Sequence, residues 1–202
     1  MNSRFSSILM AAAMAAGYTP ALTAQMSAPQ YRGGLITPPL PKPDFTLTDT
    51  SGAPFDFREK TQGYVTLLFF GYTSCPDQCP MHMANIGAAL KKLPSSVADQ
   101  VKLLFVTTDP GRDTPIVLRR WLNLFDRRFI GLSLTEAAIE AAQRAVGVPV
   151  AQKVGPAERN YTVTHANFVL AYSKDNLAHL LYPGGMSKDD WTHDLPLSLE
   201  GK

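Results

Sequence analysis

Cysteine is scarce in this 202-residue chain, which has two, Cys75 and Cys79. That excludes the disulfide-dense scaffold of a small secreted domain and the four-cysteine structural zinc site. Histidine is scarce too, with four: His82, His165, His179 and His193. The net charge is +2, with no long basic run and no basic stripe interleaved with aromatics. Nothing therefore supports nucleic-acid binding. A continuous apolar stretch of the about 20 residues that a spanning helix needs is also missing. Charged residues make up 18% and hydrophobic residues 45%. This balance excludes wholesale disorder and suits one domain with a filled core.

What the N-terminus does have is the pattern of an export leader. Arg4 precedes a short apolar core, Phe5 to Gly17, and small residues at Ala21 to Ala24 offer a cleavage site. Residues 1–24 are read as a signal peptide, cleaved after Ala24, with a weak membrane anchor as the competing reading. Either one places the folded part outside the cytoplasm. Residues 25–43 carry Pro29, Pro38, Pro39, Pro41 and Pro43 and read as an extended, semi-rigid linker. The domain is expected over 44–202.

Within that domain, Phe45 to Thr48 and Phe55 to Phe57 alternate around a Ser51-Gly52 turn signal, which predicts an N-terminal β-hairpin. Tyr64 to Phe70 and Val101 to Thr107 are uncharged or nearly uncharged apolar runs of strand length, so they read as buried central strands. Helical spacing runs from Met81 to Leu93. Thr114-Pro115 starts a second helix, and Thr135 caps a third that Gly147 ends. Asn167 to Tyr172 and Leu177 to Tyr182 form a closing hairpin. Ser187 and Asp190 make a capping box for a last short helix stopped near Pro196. The order predicts an α/β, thioredoxin-like fold, a central mixed sheet flanked by helices.

The chemistry-bearing segment is Cys75-Pro-Asp-Gln-Cys79, between a buried strand and a helix start. Helix N-termini favour negative charge, and the thiolate is the form that binds metal or attacks a disulfide. A passive disulfide is one reading of the pair, but a bridge closing so small a loop stabilises little. His165 precedes a strand at the point that packs beside the cysteine loop in a thioredoxin-like sheet. Two thiolates and one imidazole suit copper by softness, whereas zinc usually takes four ligands. His179 and His193 read as surface residues, and so does His82, with a second copper role as its alternative. Met81 and Met83 are weighed as soft copper ligands against core filling. Asp77 and Asp109 are candidates for contacts behind the ligands, although both residues also suit turns, and Asp113 before Thr114 reads as a turn or cap residue.

Three motifs in order carry a resemblance: Phe70-Gly-Tyr-Thr-Ser-Cys75-Pro-Asp-Gln-Cys79-Pro80, Thr108-Asp-Pro-Gly-Arg-Asp-Thr-Pro115 and Val163-Thr-His165. Across about Asp44 to Pro183 the chain resembles the Sco/SenC family. That resemblance implies a copper chaperone for assembly of the copper centre of cytochrome c oxidase. Cys75, Cys79 and His165 would be its metal ligands, in a bacterial periplasm. It would take copper, as Cu(I) or Cu(II), from a donor protein and pass it to the copper-binding subunit of the oxidase. The alternative is a thiol–disulfide reductase keeping the oxidase cysteines reduced, with Cys75 as attacker and Cys79 resolving. Thr164 stands where the family often has an acidic residue, so an acidic contact orienting the imidazole is expected to be missing.

Overall fold

In the computed structural model, residues 30–157 and 160–200 are described. The leader and anchor readings lie outside them. In chain order the elements are β1 (Gly34–Pro41), β2 (Thr46–Asp49), β3 (Pro54–Asp56), α1 (Phe57–Lys60), β4 (Val65–Gly71), α2 (Gln78–Lys92), α3 (Ser95–Ala98) and β5 (Val101–Thr107). There follow α4 (Pro115–Leu122), β6 (Ile130–Ser133), α5 (Glu136–Ala145), β7 (Gln152–Ala157), β8 (Asn160–Thr164), β9 (Phe168–Tyr172), β10 (Leu177–Pro183) and α6 (Lys188–Glu200). No described helix is long and apolar enough to cross a membrane.

The main sheet has eight strands in the order β1-β10-β9-β4-β5-β6-β2-β3. Strands β4, β5 and β6 are parallel neighbours, as right-handed crossovers require. Strand β9 joins β4 antiparallel, which makes the sheet mixed. The uninterrupted apolar sequence of β4 follows from burial on both faces. Leu67 and Phe69 face one core cluster, with Met83, Ile86 and Leu90 of α2 and Trp191 and Leu195 of α6. Leu68 and Phe70 face the other, with Ile139 and Ala142 of α5 and Phe57. The expected hairpin is present as β2 and β3. Thr114 and Thr135 cap α4 and α5 through their side chains.

The structure departs from the sequence reading in several stretches. Gly34–Pro41, inside the stretch read as a linker, is extended but pairs with β10 as the outermost strand. An edge strand tolerates prolines because their missing N–H groups face no partner. The backbone N–H groups of Arg32 and Gly33 also donate to Asp194 Oδ2 of α6, at 2.9 and 3.0 Å. Helix α6 does not stop near Pro196 but continues to Glu200. An interior proline costs about 3 kcal/mol. Trp191 and Leu195, both fully buried, with Leu199 packed beside them, form an i, i+4 stripe. At about 1.5–3 kcal/mol per buried large side chain, that stripe outweighs the break. The hairpin of β7 and β8 has no counterpart in the sequence reading.

Lys42, just past β1, is 1% exposed. Its Nζ donates to Thr61 Oγ1 at 2.9 Å and lies 5.5 Å from the Phe57 and Tyr172 ring centroids. Burial, helped by the Arg58 charge, lowers its pKa from 10.5 to about 8. Between those values the unfolded chain holds a proton that the native chain has lost, so this group makes stability rise with pH. Lys42→Met removes that rise. Urea unfolding at pH 7.5 and pH 9.5 is expected to show the parent gaining on the variant at the higher pH. An equal difference at both pH values contradicts it.

Candidate metal centre

Strand β4 ends at Gly71, and the chain turns through Tyr72 to Asp77 into α2. A side chain at Gly71 would put Cβ 2.7 Å from Cys79 Sγ and 2.8 Å from the Phe69 ring. Glycine is therefore what lets the buried Cys79 sulfur lie against the strand end. Helix α2 starts at Gln78, earlier than the helical spacing suggested, which puts Cys79 in its first turn. Its N-cap residue, Asp77, makes no side-chain cap bond. The Cys75 sulfur instead accepts the Cys79 backbone N–H at 3.5 Å. It occupies the place of a capping oxygen at the positive end of the helix.

The loop is braced from the next strand. Asp113 accepts from the Thr73 backbone N–H at 2.9 Å, from the Thr73 hydroxyl, and from Thr107 Oγ1 at 2.7 Å. Burial pushes the Asp113 carboxyl up, against the pull of those bonds. Sequence reasoning gave Asp113 only a turn or cap role. The signal available was its place in the Thr108 to Pro115 motif.

His165 approaches from the other side, between β8 and β9. Its Nε2 lies 3.8 Å from Cys75 Sγ and 3.5 Å from Cys79 Sγ. One ligand atom from each of the three residues falls within 4.8 Å of the others. His165 Nδ1 is 3.0 Å from the Ala166 carbonyl oxygen. A carbonyl can only accept, so Nδ1 carries the proton and the Nε2 lone pair faces the sulfurs. The acidic contact absent at Thr164 is thus replaced by a backbone carbonyl. The Phe69 and Tyr72 rings stand nearly perpendicular to the imidazole, each at 5.7 Å.

The two thiols are not equivalent. The Cys79 thiol, and then the backbone N–H groups of Cys79 and Asp77, favour charge on Cys75 against its burial and hold it well below the ordinary thiol range. Burial first, then the neighbouring Cys75 charge, pushes Cys79 up. One proton is shared within the pair, and Cys75 gives its own up first.

The other candidates fall as follows. Asp77 is exposed and accepts from Gln78 Nε2 at 2.8 Å. Asp109 is buried, and its carboxylate is taken by Tyr161 Oη at 2.7 Å and by Arg112. The Arg112 guanidinium lies over the Tyr72 and Tyr161 rings, so Asp109 reaches His165 only through the aromatic wall. His82 is a correction: it is 2% exposed rather than on the surface, and its ring packs 4.8 Å from Phe69. Helix α2 turns it inward, four residues before the core residue Ile86. Met83 is in the core and Met81 is exposed. His179 and His193 pair with Asp175 and Asp194.

A thioredoxin-like sheet presenting a Cys-x3-Cys helix start to a histidine defines a thiol-and-imidazole site of metal-binding or redox type. The chain belongs to the SCO1/SenC family, whose model matches residues 36–199. It is 36% identical over 126 residues to a SCO2-like protein of Rickettsia felis, covering 62% of this chain and 60% of that one. The match thus spans about 60% of the length of such curated relatives. Among solved structures, it is similar to Bradyrhizobium japonicum ScoI with copper bound, at 31% identity and TM-score 0.70, covering 79% of this chain and 99% of that one. It is also similar to the apo Sco1 protein of Thermus thermophilus, at 33% identity and TM-score 0.70, covering 84% and 94%.

The thiol asymmetry has a direct readout. With the reduced protein, iodoacetamide is expected to modify Cys75 long before Cys79. The rate should persist at pH 6, where a free thiol of pKa about 8.5 has almost stopped reacting. Mass spectrometry of the alkylated peptide resolves the two. Equal rates at both sulfurs would contradict the asymmetry.

Proposed function

We propose that Cys75, Cys79 and His165 hold one copper(I) ion as cargo, received from a donor protein and passed to the copper-binding subunit of cytochrome c oxidase. The observation that carries this reading is the convergence of two sulfurs and an oriented imidazole nitrogen within 4.8 Å. Thiolate and imidazole donors suit soft copper, and three donors leave a position through which a receiving ligand can enter. A similar Sco structure was solved with copper bound. Cys75 is charged in advance, so copper entry displaces a proton from Cys79. Cys75 is half-buried and Cys79 buried, so the ion sits near the surface, within reach of ligand exchange. Work outside the cytoplasm, in the periplasm, is supported by the leader pattern before Ala24.

The thiol asymmetry favours a second reading, a thiol–disulfide reductase. The Cys75 thiolate attacks a disulfide sulfur of the partner and releases one partner thiolate. Cys79, once deprotonated, attacks Cys75 Sγ, releases the second and leaves a Cys75–Cys79 disulfide. His165 has no part in that exchange, whereas the copper reading uses it.

Anaerobic copper(I) titration of the reduced protein separates them. The parent is expected to take up one equivalent tightly. His165→Ala should weaken uptake by more than the about 10–100-fold that losing an outer partner costs. Cys75→Ser with Cys79→Ser should abolish it. Uptake that survives either change, or a parent that binds none, sinks the copper reading.

A further inference from the structure

We infer that Asp77, Gln78, Asn167 and His82 form a directed hydrogen-bond chain that sets where His165 stands relative to Cys79. The inference rests on the copper reading above for what that position serves. The main sheet does not supply this alignment. The β4–β9 ladder pairs Thr66, Leu67 and Leu68 with Tyr172, Ala171 and Leu170. His165 lies beyond the last of these pairs, between β8 and β9. Something else must hold it against the start of α2.

The direction of every bond follows from its neighbour. The Asp77 carboxylate accepts from Gln78 Nε2 at 2.8 Å. That leaves Gln78 Oε1 to accept from Asn167 Nδ2 at 2.9 Å. Asn167 Oδ1 is then the acceptor for His82 Nε2 at 3.1 Å, so His82 carries its proton on Nε2. Gln78 precedes Cys79, Asn167 lies two residues after His165, and His82 is one turn along α2 from Cys79. The chain thus ties the helix turn holding one ligand to the segment holding another. Its buried end has a second hold, because His82 packs on the same Phe69 ring that borders His165.

The turn after β10 closes over this chain. The Gly184 N–H donates to the Asn167 carbonyl at 2.9 Å. A methyl at Gly184 would meet Gln78 Oε1 at 2.8 Å and collide with the Asn167 amide. A side chain there would push apart the two groups that form the middle link.

These are positioning residues, so the test reads their effect through His165. Asn167→Leu removes both amide bonds at similar volume. Gly184→Ala removes no hydrogen-bonding group and serves as an independent variant. In anaerobic competition against a chromophoric copper(I) chelator, both are expected to weaken binding about tenfold. In a His165→Ala background, neither should weaken it further. Imidazole nitrogen NMR of the reduced, copper-free protein supplies a readout without metal. His82 should be protonated on Nε2, and Asn167→Leu should shift the His165 ring signals. If the parent binds no copper but the His165 signals move, the chain stands and the copper reading falls. If Asn167→Leu leaves affinity and His165 signals at parental values, the inference is overturned. Equal weakening with and without His165 overturns it as well.

Discussion

A sulfur at the mouth of a helix is the interaction on which the rest depends. The first N–H groups of α2 have no intrahelical partner. Here the Cys75 sulfur accepts one of them, where Asp77 would ordinarily cap with its carboxylate. The helix terminus therefore stabilises a thiolate, and the thiolate in turn completes the helix. The same arrangement divides the labour between the sulfurs. One is charged and half-exposed, while the other is buried against Gly71 and keeps its proton.

Everything around that contact serves to hold it in register. Strand β4 is buried on both faces, so its end is a fixed point in the molecule. Asp113 ties Thr73 to β5, fixing the loop from one side. From the other side the Ala166 carbonyl turns the His165 ring, and Phe69 and Tyr72 confine it. None of these groups is a donor to a metal. Together they deliver two sulfurs and a nitrogen to one small volume, the geometry that the proposed copper site requires.

Much of this was legible in the residues. Apolar runs marked β4 and β5, the Thr114-Pro115 pair marked the start of α4, and Ser187 with Asp190 marked that of α6. Cys75 and Cys79 could be picked out by their place between a buried strand and a helix start, and His165 chiefly by the motifs that resemble the Sco/SenC family. The failures have physical causes. Prolines in 34–41 hid an edge strand, since an edge does not use every N–H group. Pro196 suggested a stop because a proline's local cost is visible in sequence, whereas the burial of Trp191 and Leu195 that offsets it is not. His82 looked like a surface residue because a lone histidine carries no signal of the Asn167 that meets it from 85 positions away. Asp113 looked like turn chemistry for the same reason, its partner Thr73 being 40 positions distant.

The central claim is that copper is held by donors from two separate elements, two sulfurs from the α2 start and one nitrogen from the segment before β9. X-ray absorption at the copper edge of the reduced, anaerobically loaded protein tests this most directly. The account predicts two sulfur neighbours and a single imidazole nitrogen, with the outer-shell scattering of one ring. A shell of sulfur alone, or two imidazoles about the metal, would contradict it.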